Sequence, residues 1–278
     1  MLSSVLGIVQ ARVEDLLERL DWALSGRVVG FYVVGSVCLG AFRPGRSDID
    51  FVAVLDWDLK RDELARLRAV HVGRWLSALG RDTALRGRWP LVCNGIYVRR
   101  TDLANSSLTT TPIAGFVAGH FEVAPDSGFD VNPVTWHLLA NDGIAIRGED
   151  PARLQIHTDI QELRRWSLEN LNRHWRQWAR RRMDIRALPR RAVAAGVLGA
   201  PRLHCTIATG TITTKEAGAE YALETFDREW HPLIGDALAF WRDCPTPATY
   251  RFRPIRRHQD ASDFVAMVID QANLLPLP

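Results

Sequence analysis

The stretch Phe31-Tyr32-Val33-Val34-Gly35-Ser36-Val37-Cys38-Leu39-Gly40-Ala41-Phe42-Arg43-Pro44-Gly45-Arg46-Ser47-Asp48-Ile49-Asp50-Phe51-Val52-Ala53-Val54-Leu55 decides how this chain is read. An apolar run that suits a buried strand ends in Gly35-Ser36. A turn or helix start follows, where free backbone N–H groups can hold a phosphate. Glycine lets the backbone come close and serine adds a hydroxyl donor. Asp48 and Asp50 then stand at i and i+2 at the start of a second apolar strand, so both carboxylates point to one face. Paired carboxylates repel unless a cation sits between them. Oxygen ligands of this kind suit Mg²⁺, which prefers one or two carboxylates plus substrate phosphates. Phosphate cradle, aspartate pair and apolar strands together describe nucleotidyl transfer from a magnesium–nucleoside triphosphate.

Working outward, residues 9–24 carry Val13, Leu16, Leu17 and Leu20 at helical spacing. Val28–Val34 and Asp48–Leu55 read as strands, Lys60–Leu79 as a helix and Leu91–Val98 as a third strand. This order predicts an α+β unit: a mixed β-sheet with flanking helices. Residues 101–130, rich in Thr, Ser, Pro and Gly, read as an irregular connection with uncertain strands. Beyond Asn132 the patterns are helical: Pro133–Asn141, Ile160–Arg182, Val193–Thr209, Lys215–Phe226, Trp230–Trp241 and Ala261–Asn273. The expected organisation is an N-terminal domain over 1–130 and a C-terminal α-helical bundle over 131–278.

Composition sets the outer bounds. The chain has 278 residues, 47% of them hydrophobic and 24% charged, which excludes a disordered chain. No segment approaches the roughly 18–20 apolar residues of a membrane helix, so no membrane partner is expected. The first ten residues are briefly apolar but lack a basic flank and run into Arg12, Glu14 and Asp15, a poor signal peptide. Cys38, Cys93, Cys205 and Cys244 form no C-x-x-C pair, so a cytoplasmic location without disulfide or zinc framework is expected. A net charge of +3 is too small to imply nucleic acid, and a monomer is expected. Of 35 basic residues only Lys60 and Lys215 are lysine. A lysine kept in such a background draws notice, because arginine's planar fork cannot always replace a compact ammonium.

Gly35-Ser36-x11-Asp48-x-Asp50 resembles the signature of the DNA polymerase β-type nucleotidyltransferase superfamily. The second half narrows the resemblance. Arg202-Leu-His-Cys-Thr-Ile-Ala-Thr209-Gly210-Thr-Ile212-Thr-Thr-Lys215-Glu-Ala-Gly-Ala-Glu-Tyr-Ala222 is similar to the C-terminal helical domain of aminoglycoside 3''-/9-adenylyltransferases, which modify streptomycin and spectinomycin. Leu138–Gly148 resembles their inter-domain segment. The resemblance implies a two-domain adenylyltransferase with ATP in the cleft between domains and Mg²⁺ on Asp48 and Asp50. Gly35, Ser36, Arg46 and Ser47 would bind the nucleotide, and Arg202 and Lys215 would reach its phosphates. AMP would go to a hydroxyl of a small molecule, with an aminoglycoside or aminocyclitol antibiotic as the leading class. Trp136, Trp175 and Trp178 are candidate sugar-stacking residues, although tryptophans at helical spacing also serve as core.

Two features depart from that pattern. The family carries a third carboxylate on the next strand, yet no Asp or Glu lies between Asp82 and Asp102; Asn94 or Cys93 occupies the expected catalytic place, with Asn94 the preferred candidate. An amide cannot accept a proton at neutral pH. Asp102, Glu122, Asp130 and His137 are candidates for a replacement base. Secondly, aminoglycosides are polycations, whereas the segment before the Arg202 helix reads Pro189-Arg190-Arg191-Ala192 and the long helix carries Arg164, Arg165, Arg173, Arg176, Arg180, Arg181 and Arg182. Two further readings follow: nucleotidyl transfer to a protein, RNA or anionic metabolite, and a nucleotide-binding homologue impaired in turnover.

Overall fold

The computed structural model describes residues 2–80, 90–125, 130–180, 189–245 and 247–276. The chain divides into two compact units, Met1–Thr158 and Asp159–Pro278.

The first unit is built on β1 (Val28–Val34) and β2 (Ile49–Leu55), both buried along almost their whole length. Their β-branched and aromatic side chains fit a pleated surface covered on both sides. With β3 (Cys93–Arg99), β4 (Ala114–Val117), β5 (His120–Val123) and β6 (Ile144–Arg147) they form one mixed sheet of order β5-β4-β3-β2-β1-β6. Only β2 and β3 run parallel, and α2 (Arg61–Ala78) makes the crossover that a parallel pair requires. Alternation gives the sheet two faces. On one, Phe31, Val33, Ile49, Phe51, Ala53, Cys93 and Tyr97 pack against the apolar stripe of α1 (Leu2–Leu24) and against Leu67 of α2. On the other, Tyr32, Val34, Val52, Val54, Ile96 and Val98 pack against Trp136 and Leu139 of α3 (Pro133–Asp142). The aspartates continue this second face. Asn132 caps α3 through the N–H of Thr135 at 3.0 Å, with Pro133 in the first turn.

The second unit is helical: α4 (Ile160–Asn170), a π-type turn at Leu171–Trp175, α5 (Arg176–Arg180), α6 (Arg190–Thr209), α7 (Lys215–Thr225), α8 (His231–Trp241) and α9 (Pro254–Ala272). Val193, Val197, Leu198, Ile207, Phe264, Val265 and Ile269 form its core. Gly210 ends α6 in the left-handed region at φ 76°, its N–H donating to the Thr206 carbonyl at 2.8 Å.

The mixed sheet followed by helices agrees with the expected α+β class, and the sequence differs from it in detail at three places. The compact units divide at Thr158/Asp159 rather than at 130/131, because α3 covers the sheet and β6 pairs with β1. Residues 101–130 contain the β4–β5 hairpin, whose strands are four residues each. The helix expected over 160–182 is interrupted by the π-type turn, and its Arg181 and Arg182 lie outside the described residues, as does Asp82.

Candidate active site

The site forms where β1 ends and β2 and β3 begin. Val34 is the cross-strand partner of Asp50, and Asp50 is the partner of Asn94 on β3. Three adjacent strands thus bring Gly35, Asp50 and Asn94 to one end of the sheet, on the face opposite α1. Gly35 has φ +69°, and a Cβ there would collide with the Asp50 carboxylate. Both the backbone conformation and the close approach therefore demand glycine. The chain then makes one tight turn: Leu39 N–H donates to Gly35 O at 3.3 Å and Ala41 N–H to Ser36 O at 2.8 Å. No backbone bond of this turn uses the N–H of Ser36 or Val37. The Ser36 hydroxyl is buried and has no hydrogen-bond partner among the described residues.

The surroundings of the aspartates are electronegative. Burial pushes the Cys38 thiol up to about 12, and the charges of Asp142 and Asp50 add to that. Asp130 lies just before the α3 cap, with φ 54° in the left-handed region. The residue as a whole is exposed, while its carboxyl is desolvated and feels the Asp48 charge; both raise its pKa. Among the described residues no three His, Cys, Asp or Glu side chains form a ready metal cluster.

The other expected site residues fall into three groups. Asn94 is buried beside Asp50, and its Oδ1 accepts the Ala118 N–H at 3.0 Å, so the amide ties β3 to the β4–β5 turn. Ser47 is buried and its hydroxyl accepts the Arg43 N–H at 3.1 Å, which closes the loop carrying half-buried Arg46. In the helical unit Arg202 Nε donates to Thr213 O at 2.7 Å while its stem crosses Gly218. Lys215, at the start of α7, holds its Nζ 4.0 Å from the centre of the Trp241 ring. Thr213 and Trp241 are the supports that sequence reading missed; neither lies in a local pattern with the cation it holds.

Of the three tryptophans Trp136 is buried, and Trp175 and Trp178 are half-buried. Trp136 is 1% exposed and donates Nε1–H to Asn105 O at 3.2 Å, which corrects its assignment as a sugar-stacking residue. Trp175 and Trp178 press against Gly199 and Gly196 of α6, where no larger residue fits. Two arginines of the basic helix are engaged internally, Arg164 donating to Ile207 O at 2.6 Å and Arg176 to Asp270 at 3.0 Å, while Arg165, Arg173 and Arg180 are exposed; Arg190, on α6, pairs with buried Asp236 at 3.4 Å. Of the four candidate bases, Asp102 caps the turn beyond the far end of β3 through the Arg99 N–H at 2.9 Å. Glu122 sits on edge strand β5 beside His120. His137 keeps a buried Nε2 with no partner among the described residues. Asp130 is the one whose carboxyl feels the charge of Asp48.

Residues 13–105 match the model of the nucleotidyltransferase domain, and the enzyme class the sheet unit defines is therefore nucleotidyltransferase. Residues 182–262 match the model of the aminoglycoside adenylyltransferase C-terminal domain. The two matches together span more than half of the chain, a nucleotidyltransferase domain followed by an aminoglycoside adenylyltransferase C-terminal domain. No curated protein matches it in sequence. Among solved structures, the chain is similar in fold to a spectinomycin adenyltransferase, AAD(9) from Enterococcus faecialis, crystallised with ATP and spectinomycin. The TM-score is 0.66 at 14% identity, over 94% of this chain and 99% of that one.

Proposed function

We propose that this chain transfers the adenylyl group of ATP, with Mg²⁺, to a hydroxyl of a small aminoglycoside or aminocyclitol antibiotic. The observation that carries this reading is the Asp48/Asp50 pair set against the Gly35–Ser36 turn. The residues fit a magnesium nucleotide: two carboxylates on one face, a buried serine hydroxyl still to be satisfied, and turn N–H groups without acceptors. Asp48 and Asp50 would hold the metal, which when bound supplies Lewis-acid stabilisation of charge on the phosphates.

The turn at Gly35–Ser36 binds the triphosphate through its N–H groups and the serine hydroxyl. The acceptor hydroxyl attacks the α-phosphorus; an O–P bond forms, the bond to the β-phosphate oxygen breaks and pyrophosphate departs. Asn94 fixes the β4–β5 turn and takes no proton. We assign the acceptor's proton to Asp130, whose carboxyl feels the charge of Asp48. Arg202 and Lys215 are the cations assigned to the nucleotide phosphates, Lys215 as a point charge. The internal pairing of Arg164, Arg176 and Arg190 lowers the obstacle to a polycationic acceptor.

Calorimetric titration with ATP tests the reading. Binding is expected to require Mg²⁺ and to vanish in Asp48→Asn/Asp50→Asn, and pyrophosphate release is expected with spectinomycin or streptomycin. ATP binding without pyrophosphate release for either antibiotic would move the assignment to another acceptor. No binding in the wild-type protein would remove the catalytic assignment.

A further inference from the structure

A cavity of about 650 Å³ lies in the first unit on the face opposite the aspartates, between α1, α2 and the start of β3. Its size falls in the range of small-molecule sites, about 300–1,000 Å³. The wall mixes apolar and polar groups: Val70, Leu91, Val92 and Phe116 are among its apolar members, and Cys93 contributes a thiol. Arg12, Arg19 and Arg74 line the same space, against the single carboxylate of Asp15. Asp15 is already engaged by Arg74 and, at 3.0 Å, by Arg19. Arg12 is half-buried, and its guanidinium has no ion-pair partner among the described residues. The guanidinium charges of Arg74 and Arg12 both act on the Cys93 thiol, so the two converge on one spot.

Gly73 is an independent observation. It lies inside α2 and lines the cavity, and a Cβ there would meet nothing within 4 Å. Glycine destabilises a helix interior relative to alanine. No close approach of backbone or side chain requires it at this position. Its effect is to add no side chain to the space the cavity occupies beside α2.

We infer that this cavity is a binding site for a small organic anion with an apolar, ring-sized body, its charged end held by Arg12 and Arg74. Apolar side chains beside convergent charged groups suit a ligand with both an apolar body and a charged end, and a guanidinium favours a carboxylate, sulfonate or phosphate over a neutral group. The site lies on the back of the strand that carries Asn94, and its existence does not depend on the reading of the aspartates.

The test uses the full-length protein and two fluorescent probes of similar shape. Anilinonaphthalene sulfonate carries the anion, and N-phenylnaphthylamine lacks it. Saturable binding of the sulfonate with one site per chain is expected, at least about tenfold tighter than the neutral amine. Arg12→Gln should weaken the sulfonate about tenfold and leave the amine unchanged. Gly73→Phe should abolish binding of both while raising the melting temperature. Neither position belongs to the aspartate site, so pyrophosphate release is expected to stay the same in both variants. Equal affinity for the two probes, or sulfonate binding unaffected by Arg12→Gln in a folded variant, would overturn the proposal. If Gly73→Phe does not fold, Arg12→Gln still decides, because that side chain supports no ion pair.

Discussion

The two units keep their functional charges in opposite ways. In the sheet unit the groups at the site are left in tension. Gly35 and Asp130 have left-handed backbone, the Ser36 hydroxyl is buried without a partner among the described residues, and carboxylates crowd one end of the sheet. In the helical unit the candidate cations are built into the local structure, Arg202 on the Thr213 carbonyl and Lys215 on the Trp241 ring. Strain and unsatisfied groups at a site are retained where a ligand relieves them. Cations seated in advance lose little freedom when an anion arrives. On the proposed reading the sheet unit is arranged for chemistry and the helical unit for charge complementarity, and substitutions in the two should fail differently.

The largest effect is expected from Asp50→Asn. Loss of one aspartate of the pair should lower pyrophosphate release by about 10³-fold or more, the order of a lost transition-state contact of about 4 kcal/mol. Stability should hold or rise, because the substitution removes a like-charge neighbour from the Gly35 turn. A fall in melting temperature together with activity would break the contrast, since it would make Asp50 a structural residue. Asp130→Asn comes next. Removing a general base costs about 10²–10⁴-fold, and the loss should fall on kcat at unchanged KM for ATP. If kcat survives, the proton leaves by another route and His137 becomes the residue to replace.

How much of this was legible in the sequence depends on the range of the interactions. β1 was read to the residue, and β2 and α2 to within one, because apolar runs and cap signals are local. Asn94 was singled out through the family resemblance alone; its place beside Asp50 is set by the parallel pairing of β2 with β3, and that of Gly35 by the pairing of β1 with β2. Strand β6 was not legible: Ile144–Arg147 is four residues long and exposed, and it is a strand only because β1 offers an edge. Trp136 was misread for the converse reason. Its indole looks like a sugar platform in a polar segment, and only the docking of α3 on the sheet shows that it is core. The seating of Lys215 depends on Trp241, 26 positions away, and no periodicity connects them.

That seating gives a smaller pair of predictions. Lys215→Ala should raise KM for ATP about tenfold, the worth of one charge-assisted contact. Trp241→Leu should raise it only about two- to fivefold, because a cation–π contact of about 0.5–1 kcal/mol holds the ammonium in place without supplying its charge. Adding Trp241→Leu to Lys215→Ala should then change KM no further, as expected when one residue acts through the other. Additive losses in KM would mean that Trp241 supports the helical core and not the lysine.

The smallest effect on turnover is expected from a feature the units share. Each buries a histidine against a tyrosine hydroxyl: His71 with Tyr97 at 2.7 Å in the sheet unit and His204 with Tyr221 at 2.8 Å in the helical one. Burial pushes His71 down to about 3 and His204 down to about 4, so both are neutral in the folded chain. Unfolded histidine titrates near 6.5, and below that pH the unfolded state binds the extra proton. The stabilisation is therefore complete above about pH 6.5 and is lost as the pH falls, by about 1.4 kcal/mol per unit for a fully buried group such as His71. Exchange-detected opening of β3, corrected for intrinsic rates, should become easier between pH 6.5 and 5. His71→Phe should flatten that dependence in β3 while leaving it intact in α6, where His204 still titrates. It should also cost overall stability, because the substitution leaves the Tyr97 hydroxyl buried without its partner. If both elements lose their pH dependence together, the two units open as one cooperative body, and the independence assumed in comparing them fails.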